Sequence, residues 1–223
     1  MIYKAIIFDS SSIITLALYS MLHVLEPLKK SLGGKFLITP QVKREIVDSP
    51  IQQKRFELEA LMISDLLEKE ILEISFPKNL DKEAEGMLET ANSVFIAGDE
   101  KMKIMHAGEA SCFALAKILS SEYQIFLAID ERTSRVLTEN PDNLHELFEN
   151  KLHTKIKFNR LKAESFSEFN ILRSSEILFL AYKKGLISLP AAKQQAIDAL
   201  LYAAKFKGCS ISFREIEKAK KII

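Results

Sequence analysis

The stretch IYKAIIFDSSSIITL, residues 2–16, decides how this chain is read. Ile2–Phe8 is a short, almost uninterrupted apolar run, the pattern of a buried central strand, and it stops at Asp9. Three serines follow. Ser10–Ser12 offer N-caps for a helix that carries Ile13, Ile14, Ala17, Leu18 and Leu22 at helical spacing. A strand that feeds directly into a capped helix opens a βαβ unit. Its carboxylate stands at the edge of a core, where a negative charge is costly unless something compensates it.

The same alternation continues outward. Gly33-Gly34 closes the first unit, and Phe36–Ile38 reads as a second short strand. Thr39-Pro40 is a strong helix start, with Thr as N-cap and Pro at the first helical position; Val42 and Ile46 then face inward with Glu45 beside them. Residues 52–70 read as a long amphipathic helix and Ile71–Ser75 as a strand, and 79–105 as helical, then loose around Gly98. Gly108 opens the helix GEASCFALAKIL, in which Glu109 shares the core-facing side with Cys112, Phe113 and Ala116. Ile125–Ile129 is a buried strand that ends at Asp130. Glu131–Leu137 is helical, and Asn140-Pro141 breaks it. Strands alternating with helices call for a parallel sheet with right-handed crossovers, hence a three-layer α/β/α fold. After a basic strand candidate at Lys155–Phe158 the remainder reads as helices: from Ser174/Ser175 to Gly185, from Ser188–Pro190 to near Gly208, and a third with a Ser212/Glu215 capping box. The expected organisation is an α/β domain over residues 1–160 with a helical extension, 161–223, packed on it.

Composition narrows the function classes. Apolar residues make up 48% and charged residues 27% of the 223, so a substantial core is expected and global disorder is not. Two cysteines form no disulfide framework, and the four histidines show no zinc-ligand spacing. The N-terminus reads as a strand rather than a signal peptide, and the apolar stretch Ile13–Leu25 is too short to span a bilayer, so a soluble, cytoplasmic protein without a membrane partner is expected. Net charge is only +1, but residues 151–223 hold 15 Lys and Arg against 6 Asp and Glu, and residues 1–150 hold 16 against 24. An acidic body joined to a basic region fits a metal with a polyanion, and Lys205, Lys207 and Arg214 are candidates to track a phosphate backbone. The bland alternative is that the basic helices are solvated faces.

Asp9, Glu45, Glu109 and Asp130 come from four separate segments, each where an apolar run meets a turn or helix start. Taken singly, each has an ordinary reading as a helix cap, a first-turn acid or a surface charge. Taken together they suggest a shared cation, and hard carboxylate oxygens suit Mg²⁺ or Mn²⁺. Such convergence predicts mutual repulsion and at least one raised pKa.

The order IIFDSSSIITL, ITPQVKREIV, HAGEASCFALA, FLAIDERTSRVL resembles that of PIN-domain nucleases. The last two segments, with the later AYKKGLI (Ala181–Ile187), are similar to a prokaryotic branch of that family. The chain departs from the branch in carrying Glu131 where Asp is common, and in longer stretches at 79–105 and 159–173. The resemblance implies a PIN-like fold and metal-dependent hydrolysis of RNA, with Asp9, Glu109 and Asp130 as ligands of Mg²⁺ or Mn²⁺. It implies that Glu45 is a ligand or orients the attacking water, with Ser10, Glu131 and Arg135 in support around them. It also implies a toxin–antitoxin role, with an antitoxin protein as partner, and the helical C-terminal segment could close over the site, dimerise with a second copy or contact a partner. Two rivals of other chemistry fail on the residues: aspartyl-phosphate chemistry needs an acid where Ser11 stands, and Gly33-Gly34-Lys35 lacks P-loop spacing. A third, a PIN-like binding or scaffold protein without catalysis, stays open.

Overall fold

A computed structural model describes residues 3–189 and 193–221. Its strands are β1 (Tyr3–Phe8), β2 (Lys35–Ile38), β3 (Glu73–Ile74), β4 (Phe95–Ala97), β5 (Glu100–Lys101), β6 (Tyr123–Ala128), β7 (Ile156–Phe158) and β8 (Ile171–Leu172). Its α-helices are α1 (Ser10–Leu18), α2 (Leu25–Leu32), α3 (Pro40–Lys43), α4 (Glu57–Glu68), α5 (Leu80–Ala91), α6 (Ala107–Leu119), α7 (Arg132–Glu139), α8 (Pro141–Leu152), α9 (Arg160–Glu164), α10 (Ser174–Lys183), α11 (Lys193–Phe206) and α12 (Phe213–Lys220).

Five strands form one parallel sheet in the order β3-β2-β1-β6-β8, flanked by helices as a three-layer α/β/α fold. The chain winds outward from β1 through β2 to β3, then returns to the other side of β1 for β6 and β8. The order therefore reverses between β1 and β6, the place where α/β sheets open a crevice beyond their carboxyl ends. Right-handed crossovers put the helices of the two windings on opposite faces; accordingly α1 packs with α4 and α10, while α5 packs with α6 and α9. Ala5, Ile7, Phe8 and Leu127 in the central strands are fully buried, and Phe8 meets Phe36 edge-on at 5.2 Å.

Several expectations are corrected. The first helix ends at Leu18, and Leu22 lies in a separate 3₁₀ turn after Ser20 takes a left-handed conformation (φ 58°). Residues 50–52 form a 3₁₀ turn, so the expected 52–70 helix shortens to α4. Pro141 starts a helix as well as ending one, because its missing N–H falls at the first position of α8. The region beyond 160 is not wholly helical, since β8 completes the main sheet. The loose segment after α5 is a β4-β5 hairpin that pairs antiparallel with β7 in a second, three-stranded sheet. Phe95 and Phe158, opposed in that register, stack at 5.0 Å and cover the buried side of it together with Phe148 and His145. Of the start expected at Ser188–Pro190, Ser188 and Leu189 are irregular, and Pro190 lies outside the described residues, as does Ile2. Among the described residues no single helix is long and apolar enough to cross a membrane.

Candidate functional site

Asp9 and Asp130 lie just beyond the carboxyl ends of the adjacent strands β1 and β6, on either side of the point where strand order reverses. The serine run ties this edge together. Asp9, rather than a serine, is the N-cap of α1; its carboxylate accepts from the Ser11 N–H (3.0 Å) and hydroxyl (2.6 Å). The Ser11 oxygen in turn accepts the Asp130 N–H at 3.0 Å, and the Ser12 hydroxyl lies against the carbonyls of Asp9 (2.9 Å) and Ala128 (2.8 Å). Ser10 turns the other way and donates to Glu45.

Glu45 is carried on a widened π-helical turn, Arg44–Asp48, that continues α3. Gln41 holds its other oxygen at 2.9 Å. The start of α6 comes so near that a Cβ at Gly108 would stand 2.5 Å from Glu45 Oε2 and 2.9 Å from Oε1. A larger residue there would require the Glu45 carboxylate to shift. Glu109 follows, closing a capping box by accepting the His106 N–H at 3.0 Å while the Ser134 hydroxyl from α7 donates to its other oxygen.

Asp9, Glu109 and Asp130 are 3%, 5% and 2% exposed. Burial pushes the Asp9 carboxyl up to about 6 against the pull of its Ser11 hydrogen bonds, and the charge of Glu45 adds to the rise. Burial and the nearby charge of Asp9 push Glu109 up to about 7, although Ser134 and the His106 N–H oppose them. The buried Cys112 thiol is raised well above its usual range by burial and then by Asp9, Glu109 and Glu45. Asp9, Glu45 and Glu109 thus share one electrostatic neighbourhood, and among the described residues none of them has a salt bridge to offset its charge.

Asp130 is held differently. Both of its oxygens are taken by Ser174, the N–H at 2.8 Å and the hydroxyl at 2.7 Å, at the start of α10. The structure therefore does not assemble Asp9, Glu109 and Asp130 into a ligand set. Among the described residues no group of three or more His, Cys, Asp or Glu side chains is placed to hold a metal ion. The donor chemistry still suits a hard cation, being all carboxylate and hydroxyl oxygen, but each carboxylate is turned onto a serine rather than a common point.

Searched against protein-family models, curated proteins and solved structures, the chain matches none.

The expected supporting residues divide. Ser10 donates to Glu45. Glu131 is exposed and caps α7 by accepting from Thr133, although its charge also reaches Glu109. Arg135 pairs with Glu139 at 2.6 Å and reaches the Ser210 carbonyl at 3.3 Å, so it anchors α7 to the loop before α12. Lys205 donates to the Ile211 carbonyl and Lys207 to the Leu18 carbonyl, each at 2.6 Å, which ties both ammonium groups into the fold; Arg214 is exposed. Ser11, Ser134 and Ser174 also hold the carboxylates, and none of them is among the expected site residues. The only sequence signal for Ser11 is its place two residues after Asp9, a short-range turn geometry. Ser134 and Ser174 carry no signal, since each meets its carboxylate only through the fold.

Proposed function

We propose that this chain is a metal-dependent phosphodiesterase of PIN-like architecture that hydrolyses RNA. The observation that carries the reading is the pair of buried carboxylates, Asp9 and Glu109, raised to about 6 and about 7 at the reversal point of a parallel sheet. Two like charges kept there at a cost in stability mark a functional-site candidate. Asp9, Glu109 and Asp130 would hold Mg²⁺ or Mn²⁺, which supplies the charge to activate a water and stabilise a leaving oxygen. Glu45, held by Ser10 and Gln41, would be a further ligand or orient the water. Ser174 keeps Asp130 ordered and must share its oxygens for the ligand set to close. RNA as the substrate and a toxin role with an antitoxin partner rest on the resemblance; a homodimer and a cytoplasmic location belong to the same reading and rest on the C-terminal helices and on the composition.

One observation favours a binding or scaffold role instead: every carboxylate of the site already has a serine partner, and none of the described groups is arranged around a cation. Incubation with labelled RNA and DNA in Mg²⁺, Mn²⁺ or EDTA, alongside calorimetric Mn²⁺ titration, separates the two. The nuclease reading expects metal-dependent cleavage and Mn²⁺ binding, both lost in Asp9→Asn and Asp130→Asn. Intact RNA and DNA under all conditions, with no Mn²⁺ binding, leave the scaffold.

A further inference from the structure

The carboxylate cluster repels the substrate it is proposed to cut, so a polyanion needs a cationic holding surface elsewhere on the molecule. The second sheet provides one. Ile96 on β4 is directly opposite Lys101 on β5 and Lys157 on β7, so these three side chains project from the same face in one row across the sheet. Strand spacing places the two lysines about 10 Å apart. The opposite face is the dry one, closed by Phe95, Phe158 and Ile156. The row borders a groove of about 540 Å³ that also takes in Arg160 and Lys162, and no carboxylate lines it. Leu161, 80% exposed, adds an apolar edge.

These cations differ in what already holds them, and Lys162 donates to the Ser93 hydroxyl at 2.6 Å. Lys157 has no ion-pair partner among the described residues. The single-contact pair Lys101–Glu89 is solvent-exposed, of the kind worth less than about 1 kcal/mol, whereas Arg160 is held by both oxygens of Asp142. Lys205 and Lys207, by contrast, are spent on carbonyls. The sheet is also close to the carboxylates along the chain, because only four residues separate Lys101 from His106, whose N–H binds Glu109; that five-step span is at most about 18 Å.

We infer that the β5-β4-β7 face is a binding surface for the sugar–phosphate backbone of a single-stranded nucleic acid, holding the strand beside the proposed catalytic edge. The inference builds on the proposed nuclease function, and it assigns a role to the hairpin that lengthens residues 79–105. Charge complementarity to a backbone, with no charged acceptor in the groove, selects a polyanion. Phe158 borders the groove, but strand alternation turns its ring to the dry side against Phe95, so no ring is offered to a base and recognition is indifferent to base sequence.

The test is fluorescence anisotropy of a labelled 20-mer oligouridylate, with a DNA oligothymidylate in parallel, measured in EDTA at several salt concentrations on the full chain. EDTA removes metal and cleavage, so binding is read whether or not the protein is a nuclease. A triple variant, Lys101→Gln with Lys157→Gln and Lys162→Gln, should make the log–log salt slope shallower by about 2, at 0.7 per phosphate contact, and weaken binding about 100-fold at 0.1 M salt relative to 1 M. Lys157→Gln alone, which disturbs no described partner, should flatten the slope by about 0.7. A charge-matched triple, Lys30→Gln with Lys54→Gln and Lys69→Gln, should bind as wild type. The inference is overturned by an unchanged slope in the sheet variants, by an equal loss in the charge-matched control, by no binding of either oligonucleotide, or by full displacement of RNA with poly-glutamate at equal charge.

Discussion

Neutralising Asp9 should stabilise the protein, and only above the acid range. In an unfolded chain the Asp9 carboxyl titrates near 3.8, whereas burial raises it to about 6 in the folded protein. The folded state therefore binds a proton more tightly, and folding stability falls as pH rises from 3.8 through about 6. Below 3.8 both states are protonated and no penalty exists; above about 6 the penalty is complete. At 1.36 kcal/mol per pH unit the penalty is about 3 kcal/mol. For a chain of 223 residues this corresponds to a Tm higher by roughly 6–12 °C in Asp9→Asn at pH 8. Asparagine keeps an oxygen for the Ser11 N–H and hydroxyl, so the substitution removes the charge and little else. Glu109 titrates over a higher window, from 4.5 to about 7, and Asp9 contributes to its rise, so Glu109→Gln should stabilise by a similar amount while the double variant gains less than the sum. Differential scanning calorimetry of wild type and variants at pH 4 and pH 8, in EDTA, reads the effect. A Tm for Asp9→Asn equal to or below wild type at pH 8, or a gain that persists undiminished at pH 4, refutes the electrostatic reasoning.

Gly108→Ala should leave Tm within a few degrees of wild type while lowering cleavage at least tenfold: the new Cβ would sit 2.5 Å from Glu45 Oε2, and the carboxylate must swing away from Ser10 and Gln41. Parallel melting and single-turnover assays check this. Arg173→Met should cost about 2–3 kcal/mol, because the buried guanidinium holds Glu176 at 2.9 Å and Glu215 at 2.7 Å and reaches the Ser210 carbonyl. Urea unfolding with an unchanged midpoint would contradict that.

Much of the architecture is local and so visible in the chain. The apolar run ending at Asp9, the Thr39-Pro40 start, the Gly108 start and the run ending at Asp130 each depend on neighbours within one turn or strand, and all appear where periodicity and capping place them. The Ser212/Glu215 box forms as read. The second sheet is not legible, because β4 and β5 are three and two residues long and become strands only by pairing with each other and with β7, some sixty residues later. The same holds for β8, two residues long, which exists because β6 offers it an edge.

The division for this protein follows range. Residue order alone determines that four carboxylates stand at the margins of buried runs, since burial pattern and caps are properties of adjacent residues. Which way those carboxylates turn is a tertiary decision: Ser174, 44 positions after Asp130, and Ser134, 25 after Glu109, reach their partners only once the helices are packed. A hydroxyl at hydrogen-bonding distance in a dry interior outweighs anything local propensity can express, and only the folded chain sets that distance.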